Sequence, residues 1–142
     1  RRTFVFVLGN HELWNFPGLS VDEIVDKYRT VLKENGMYLL HNDLFYRNES
    51  DDMGIIPYDE LIQSDNPAIL EKLRCTRLVI LGGLGFSGYN EEFNANDGVY
   101  RATVDRNTEI QESKKFEQLY DKLTDVLAKK NTVIFTHTPK KD

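Results

Sequence analysis

Cysteine is almost absent: Cys75 is the only one among 142 residues. No internal disulfide can form, so packing rather than covalent cross-linking must hold the fold, and a reducing compartment, the cytoplasm, is the expected location. Long apolar runs are missing too. Nothing approaches the ~20 apolar residues that a membrane-spanning helix needs, and no charged-then-apolar leader with a small-residue cleavage site stands behind Arg1-Arg2. A basic stripe is lacking as well: the net charge is −5, and Lys114-Lys115, Lys129-Lys130 and Lys140-Lys141 are scattered pairs. That distribution argues against tight binding to duplex nucleic acid. It leaves room for a small phosphorylated substrate held by metal ions, because cations would supply the local positive charge.

What is present fits one globular domain: 40% hydrophobic and 29% charged residues, in a chain long enough to bury about two thirds of its unfolded surface. The stretch Thr3-Phe-Val-Phe-Val-Leu-Gly-Asn-His-Glu12 organises it. Phe4 to Leu8 is an unbroken apolar run, which predicts a strand buried on both faces. Gly9 then lets the backbone turn, and Asn10, His11 and Glu12 follow at the strand's carboxyl end, where open α/β sheets collect ligands and catalytic groups. Asn10 offers an amide oxygen to a cation, His11 can exchange a proton near neutral pH, and Glu12 is placed to orient His11.

Scaffold segments follow. Ser20-Val-Asp-Glu23 is a capping box, Leu19 can staple against Ile24, and Asn35-Gly36 closes a helix of apolar positions Val21, Ile24, Val25, Tyr28, Val31 and Leu32. Met37 to Tyr46 reads as one strand with His41 in its middle, an ordinary strand histidine unless it serves as a third metal ligand. Arg47 to Gly54 reads as a solvated connection; Asp51-Asp52 lacks the alternating ligands and closing glutamate of a calcium loop. Tyr58 to Gln63 and Asn66 to about Arg74 predict short helices, the second with Asn66 as N-cap and Pro67 behind it.

Arg77 to Leu81 predicts another buried strand, running into the loop Gly82-Gly-Leu-Gly-Phe-Ser-Gly88. Gly83, Gly85 and Gly88 match GxGxxG, with Asp105 about twenty residues on, but Tyr89 to Gly98 has no apolar face for the helix a dinucleotide site needs. The loop is expected instead to wall the crevice at Asn10, with Ser87, Tyr89 and Asn90 as candidate substrate contacts. Tyr100 to Val104 predicts a short edge strand. A long helix from about Asn107 carries the stripe Ile110, Phe116, Leu119, Tyr120, Leu123, Val126 and Leu127. The last strand, Thr132 to Phe135, ends at Thr136-His137-Thr138-Pro139, a second histidine at a strand's carboxyl end.

Gly9-Asn10-His11-Glu12 resembles the GNH(E/D) motif of the calcineurin-like metallophosphoesterases, and His137, after a strand that follows a long helix, matches a later metal-binding histidine of that family. The resemblance implies a layered α/β fold of two packed sheets with helices. It also implies phosphomono- or phosphodiester hydrolysis by hydroxide activated between two divalent metals, manganese, iron or zinc. Asn10 and His137 would ligate one metal, and His11 would act on the phosphoryl group or the leaving oxygen. The family's Asp-x-His and Gly-Asp motifs upstream, and its Gly-His-x-His motif downstream, have no counterpart in residues 1–142. The expectation is therefore a partial domain of a phosphoesterase, weak or inactive as a lone chain in metal binding and hydrolysis, with apolar sheet faces open to self-association. The alternatives are a non-catalytic protein-binding scaffold and a dinucleotide-binding α/β module.

Overall fold

The computed structural model describes residues 2–86 and 105–139. In chain order these hold β1 (Val5–Phe6), α1 (Asn10–Trp14), α2 (Val21–Glu34), β2 (Tyr38–Leu39), β3 (Asp43–Asn48) and β4 (Met53–Ile56). Then come α3 (Tyr58–Gln63), α4 (Asn66–Lys72), β5 (Thr76–Gly85), α5 (Arg106–Leu127) and β6 (Thr132–Thr138). The class is mixed α/β, with a parallel β1-β2 pair and a four-stranded sheet ordered β4-β3-β5-β6. No described helix is long and apolar enough to cross a membrane.

Local signals decide the helices. Ser20 Oγ accepts the Glu23 N–H at 3.2 Å while the Glu23 carboxylate accepts the Ser20 N–H at 2.7 Å, so both halves of the capping box form. Gly36 closes the other end with φ +69°, a value that costs glycine little. Asp65, one residue before the expected Asn66, caps α4, because its carboxylate reaches the Ala68 N–H at 2.8 Å. Asp105 caps α5 through the Thr108 N–H at 3.0 Å. Lys122 then ties α5 to the end of α3, donating to the otherwise unpaired carbonyls of Leu61, Ile62 and Ser64.

The strands follow tertiary rules, and four expectations change. Val5–Phe6 is a two-residue strand rather than a strand buried on both faces: among the described residues it pairs with β2 alone, and Phe4 and Phe6 stay 51% and 38% exposed. Met37 to Tyr46 is not one strand. It breaks at His41-Asn42, where Asn42 takes φ +60° and the chain crosses from the small sheet to the large one. The polar segment from Arg47 is largely hairpin, since β3 and β4 pair antiparallel around a turn with Asp51 at φ +68°. The glycines from Gly82 to Gly85 belong to β5 and not to a loop. Tyr89 to Gly98, Ser87 and the expected strand from Tyr100 to Val104 lie outside the described residues.

Two cores flank the four-stranded sheet. On one face Leu44, Ile56, Val79 and Leu81 pack with Leu61, Ile69 and Leu73, and with Phe116, Leu119, Leu123, Val126 and Leu127 of α5. On the other, Leu84 joins Leu8, Leu13, Val21, Ile24, Val25 and Leu39. Strand alternation explains the split, because successive β5 side chains point to opposite faces. The glycines permit the close approach. A Cβ at Gly82 would lie 2.7 Å from Leu40 Cβ and 3.2 Å from Val7 Cγ1, and one at Gly83 would lie 2.8 Å from Asn42 Oδ1 and 2.9 Å from Phe116 Cδ2.

At the end of β5, Gly85 has φ +96°, and a Cβ there would collide with the Thr138 carbonyl oxygen and lie 2.7 Å from Thr136 Cβ. Gly85→Ala should therefore lower stability by about 2 kcal/mol or more, from backbone strain and the clash together. In urea unfolding the midpoint should fall with little change in slope.

Candidate functional site

The Gly9-Asn10-His11-Glu12 turn opens α1 rather than a loop. Gly9 is its extended N-cap (φ −106°, ψ −174°), and Glu12 Oε2 accepts the Gly9 N–H at 2.8 Å. Only this half of a capping box is possible, because Gly9 has no side chain to return the bond. The Glu12 carboxylate thus fixes the turn and makes no hydrogen bond to His11, whose orientation was its expected task. His11 is exposed and lies against Trp14 instead, with ring centroids 4.3 Å apart and planes tilted by 38°. Leu13, fully buried between them in sequence, anchors the single turn to α2. Asn10 is half-buried at the first position of α1.

His137 reaches the same place from the far end of the chain. It lies within β6 rather than beyond it, since the strand runs to Thr138. The parallel register pairs Thr136 with Gly83 and Thr138 with Gly85, which puts His137 beside Leu84. Leu84 points to the face that α1 and α2 cover, so His137 does too. The contact is close: a Cβ on Gly9 would lie 3.1 Å from both Cε1 and Nδ1 of His137, and 3.1 Å from Glu12 Oε2. A glycine is what lets the imidazole and the carboxylate converge on that turn.

Asn10 and His137 therefore stand at neighbouring segments, with His11 one residue on. As a metal site the donor set is partial. Among the described residues no three His, Cys, Asp or Glu side chains converge to hold an ion, and one amide oxygen with one imidazole falls short of the four or more ligands that zinc, manganese or iron takes. Of the other sequence candidates, Ser87, Tyr89 and Asn90 lie outside the described residues. Asp105, the acid of the dinucleotide pattern, directs its carboxylate to the α5 N-terminus.

His41 belongs to a different constellation. It is 9% exposed at the crossover between the sheets, and its Nε2 lies 3.1 Å from Glu112 Oε2. Lys115 Nζ donates to the other Glu112 oxygen at 2.8 Å. Burial opposes ionisation of Glu112, but the hydrogen bonds from His41 and Lys115 outweigh it and hold the carboxyl below its usual range. Asp43 fastens the same corner, accepting from Arg29 Nη2 at 2.8 Å, from the His41 N–H at 3.1 Å and from the Tyr58 N–H at 3.2 Å. The Glu112 partnership had no signal in the sequence beyond a glutamate on the inner side of an amphipathic helix, where Glu109, Glu112 and Ser113 are all buried.

No family model matches the chain, and no curated protein or solved structure matches it.

Two variants test these contacts. In Gly9→Ala the backbone angles suit alanine and its neighbours need shift only by tenths of an ångström, so stability should fall by less than about 1 kcal/mol. The His137 ring resonances in a heteronuclear NMR spectrum should nonetheless move, since that ring must give way. Glu112→Gln tests the buried pair. Because the folded Glu112 titrates below the ordinary value of 4.5, its contribution is complete above that value and disappears as the pH falls through the lower folded one. Wild type should exceed the variant by about 1–3 kcal/mol at pH 7, with the gap closing under more acid conditions. Glu109, raised by burial, has the opposite slope but is common to both proteins and cancels in the difference.

Proposed function

We propose that this chain carries part of the active site of a metal-dependent phosphoesterase. The carrying observation is the contact between His137 and Gly9, which joins the two strand-end histidine motifs from opposite ends of the chain at one place. In this reading Asn10, through its amide oxygen, and His137, through a ring nitrogen, are ligands to the same divalent cation, manganese, iron or zinc. His11, exposed and braced on Trp14, faces the phosphoryl group of a phosphomono- or phosphodiester and protonates the leaving oxygen. Bound cations would supply Lewis-acid charge and a nucleophile drawn from water. The two donors are too few for a complete site, so in this reading the remaining ligands come from outside the described residues.

A second reading, a protein-binding or self-associating scaffold, draws on the open edge of β6. Val133, Ile134 and Phe135 are 46%, 37% and 39% exposed, and β6 pairs on one side with β5 alone among the described residues.

Manganese separates the two. Titrated into the labelled chain, Mn2+ should broaden the Asn10 side-chain amide and the His137 ring signals before others, and His137→Ala should abolish the effect while the rest of the spectrum persists. Broadening confined to surface carboxylates, or none at millimolar metal, would sink the phosphoesterase reading. Hydrolysis of p-nitrophenyl phosphate with added manganese should be weak in this chain.

A further inference from the structure

The two sheets differ in width, and the difference leaves a cavity. Tyr38 of β2 packs edge-on against Phe45 of β3, with ring centroids 5.1 Å apart. Ile55 of β4 stands opposite Phe45 in the antiparallel register, so both side chains share that face. Among the described residues β2 pairs with β1 alone, so no further strand of the small sheet extends out over β4. The space left there measures about 530 Å³. Met37, Tyr38 and Leu39 wall it on one side and Ile55 and Pro57 on the other, with Arg29, Lys33 and Gly36 from the end of α2. It lies where β2 begins and shares no residue with Gly9–Glu12 or His137, so its chemistry is independent of the phosphoesterase reading.

The polar groups of this largely apolar cavity are nearly all donors. Its charged side chains are Arg29, Lys33 and Asp43. Asp43, 6% exposed, already accepts from Arg29 Nη2 and from the His41 and Tyr58 N–H groups. The carbonyls that end α2 are engaged too: Val31 accepts from the Asn35 side chain, Leu32 from the Asn35 and Met37 N–H groups, and Lys33 from the Gly36 N–H. An amine would therefore find its acceptors taken. Arg29 makes one hydrogen bond, to Asp43, and Asp26 lies 3.6 Å from its Nη1, too far for another. Lys33 is exposed, four residues on along the same helix face, and has neither a hydrogen bond nor an ion-pair partner among the described residues.

Charge decides the ligand class. Arg29 and Lys33 against Asp43 leave the lining one positive charge, which a monoanion neutralises and a dianion overshoots. A carboxylate is a monoanion whose two oxygens suit the unused guanidinium N–H groups. The apolar walls then take a hydrophobic body, the usual division of labour in a cavity of this size. We propose that this cavity binds a small amphipathic carboxylate, its charged end held by Arg29 and Lys33 and its apolar body against Met37, Tyr38 and Ile55.

4-Phenylbutanoate is a suitable probe, with 4-phenylbutanamide as its neutral isostere, each titrated into the full chain with a metal chelator present. Calorimetry gives the affinities, and NMR of methyl-labelled methionine gives the place, because the chain has two methionines and only Met37 lines the cavity. The carboxylate should bind about fivefold or more tightly than the amide, as one partly exposed charge pair allows. The Met37 methyl resonance should shift in the field of the phenyl ring while that of Met53 stays in place. Lys33→Gln, altered at an exposed side chain without a partner, should melt like wild type and lose at least half of the preference. Four outcomes overturn the proposal: no binding of the carboxylate at millimolar concentration, a smaller preference over the amide, a preference that survives in Lys33→Gln, or a Met37 methyl that moves no more than that of Met53.

Discussion

The close approach of two layers over the carboxyl half of β5 governs the rest of this structure. Gly82 lies under Leu40 and Val7, and Gly83 lies against Asn42 and Phe116 on the opposite face. A side chain at either position would wedge the small sheet or α5 away from the large sheet by more than the core could absorb, since interiors are packed at nearly crystalline density. Because those two residues carry nothing, β1 ends over the same edge where β6 ends. Gly85 and Gly9 extend the arrangement: the first brings the β5 backbone against Thr138, the second brings the turn before Asn10 against the neighbouring His137. Four glycines thus set the separation of the segments that bear the candidate chemistry.

That same stretch was where the sequence was hardest to interpret. Gly-Gly-Leu-Gly has the composition of a loop, and strand propensity gives no reason to continue β5 through it. Only its partners do, with β3 pairing from Asp43 to Gly82 and β6 from Phe135 to Gly82 and beyond. The helices were legible because their signals are local: Ser20 and Glu23 meet within one turn, and Gly36 terminates at its own position. The break at His41-Asn42 was not, because apolar residues continue on both sides and what makes the corner is Asp43 taking hydrogen bonds from Arg29 and Tyr58, well away in sequence.

The candidate site was legible in part for a related reason. A glycine followed by polar residues at the end of an apolar run marks a strand-end turn without any knowledge of the fold, and the first histidine motif has that form, while the second has a threonine and a proline around its histidine at the end of a similar run. Their convergence required the register of β6 against β5, which fixes the face His137 occupies. Glu12 shows the limit of proximity in sequence: one position from His11, it lies three from Gly9 in a helical turn, and the half-buried N–H of the N-cap takes its carboxylate.

Burial gives the two histidine environments different chemistry. His137 and His11 are exposed, so each ring keeps a face open to solvent. His41 has no such freedom. Glu112, kept ionised by His41 and Lys115 against the cost of burial, fixes both the ring's orientation and the nitrogen that carries its proton. Held in this way, the ring keeps one orientation, with Nε2 against the Glu112 carboxylate. The exposed rings are set by the backbone that carries them, whereas the buried one is fixed by Glu112 at the corner where the chain crosses between the two sheets, and Lys115 holds that carboxylate in turn.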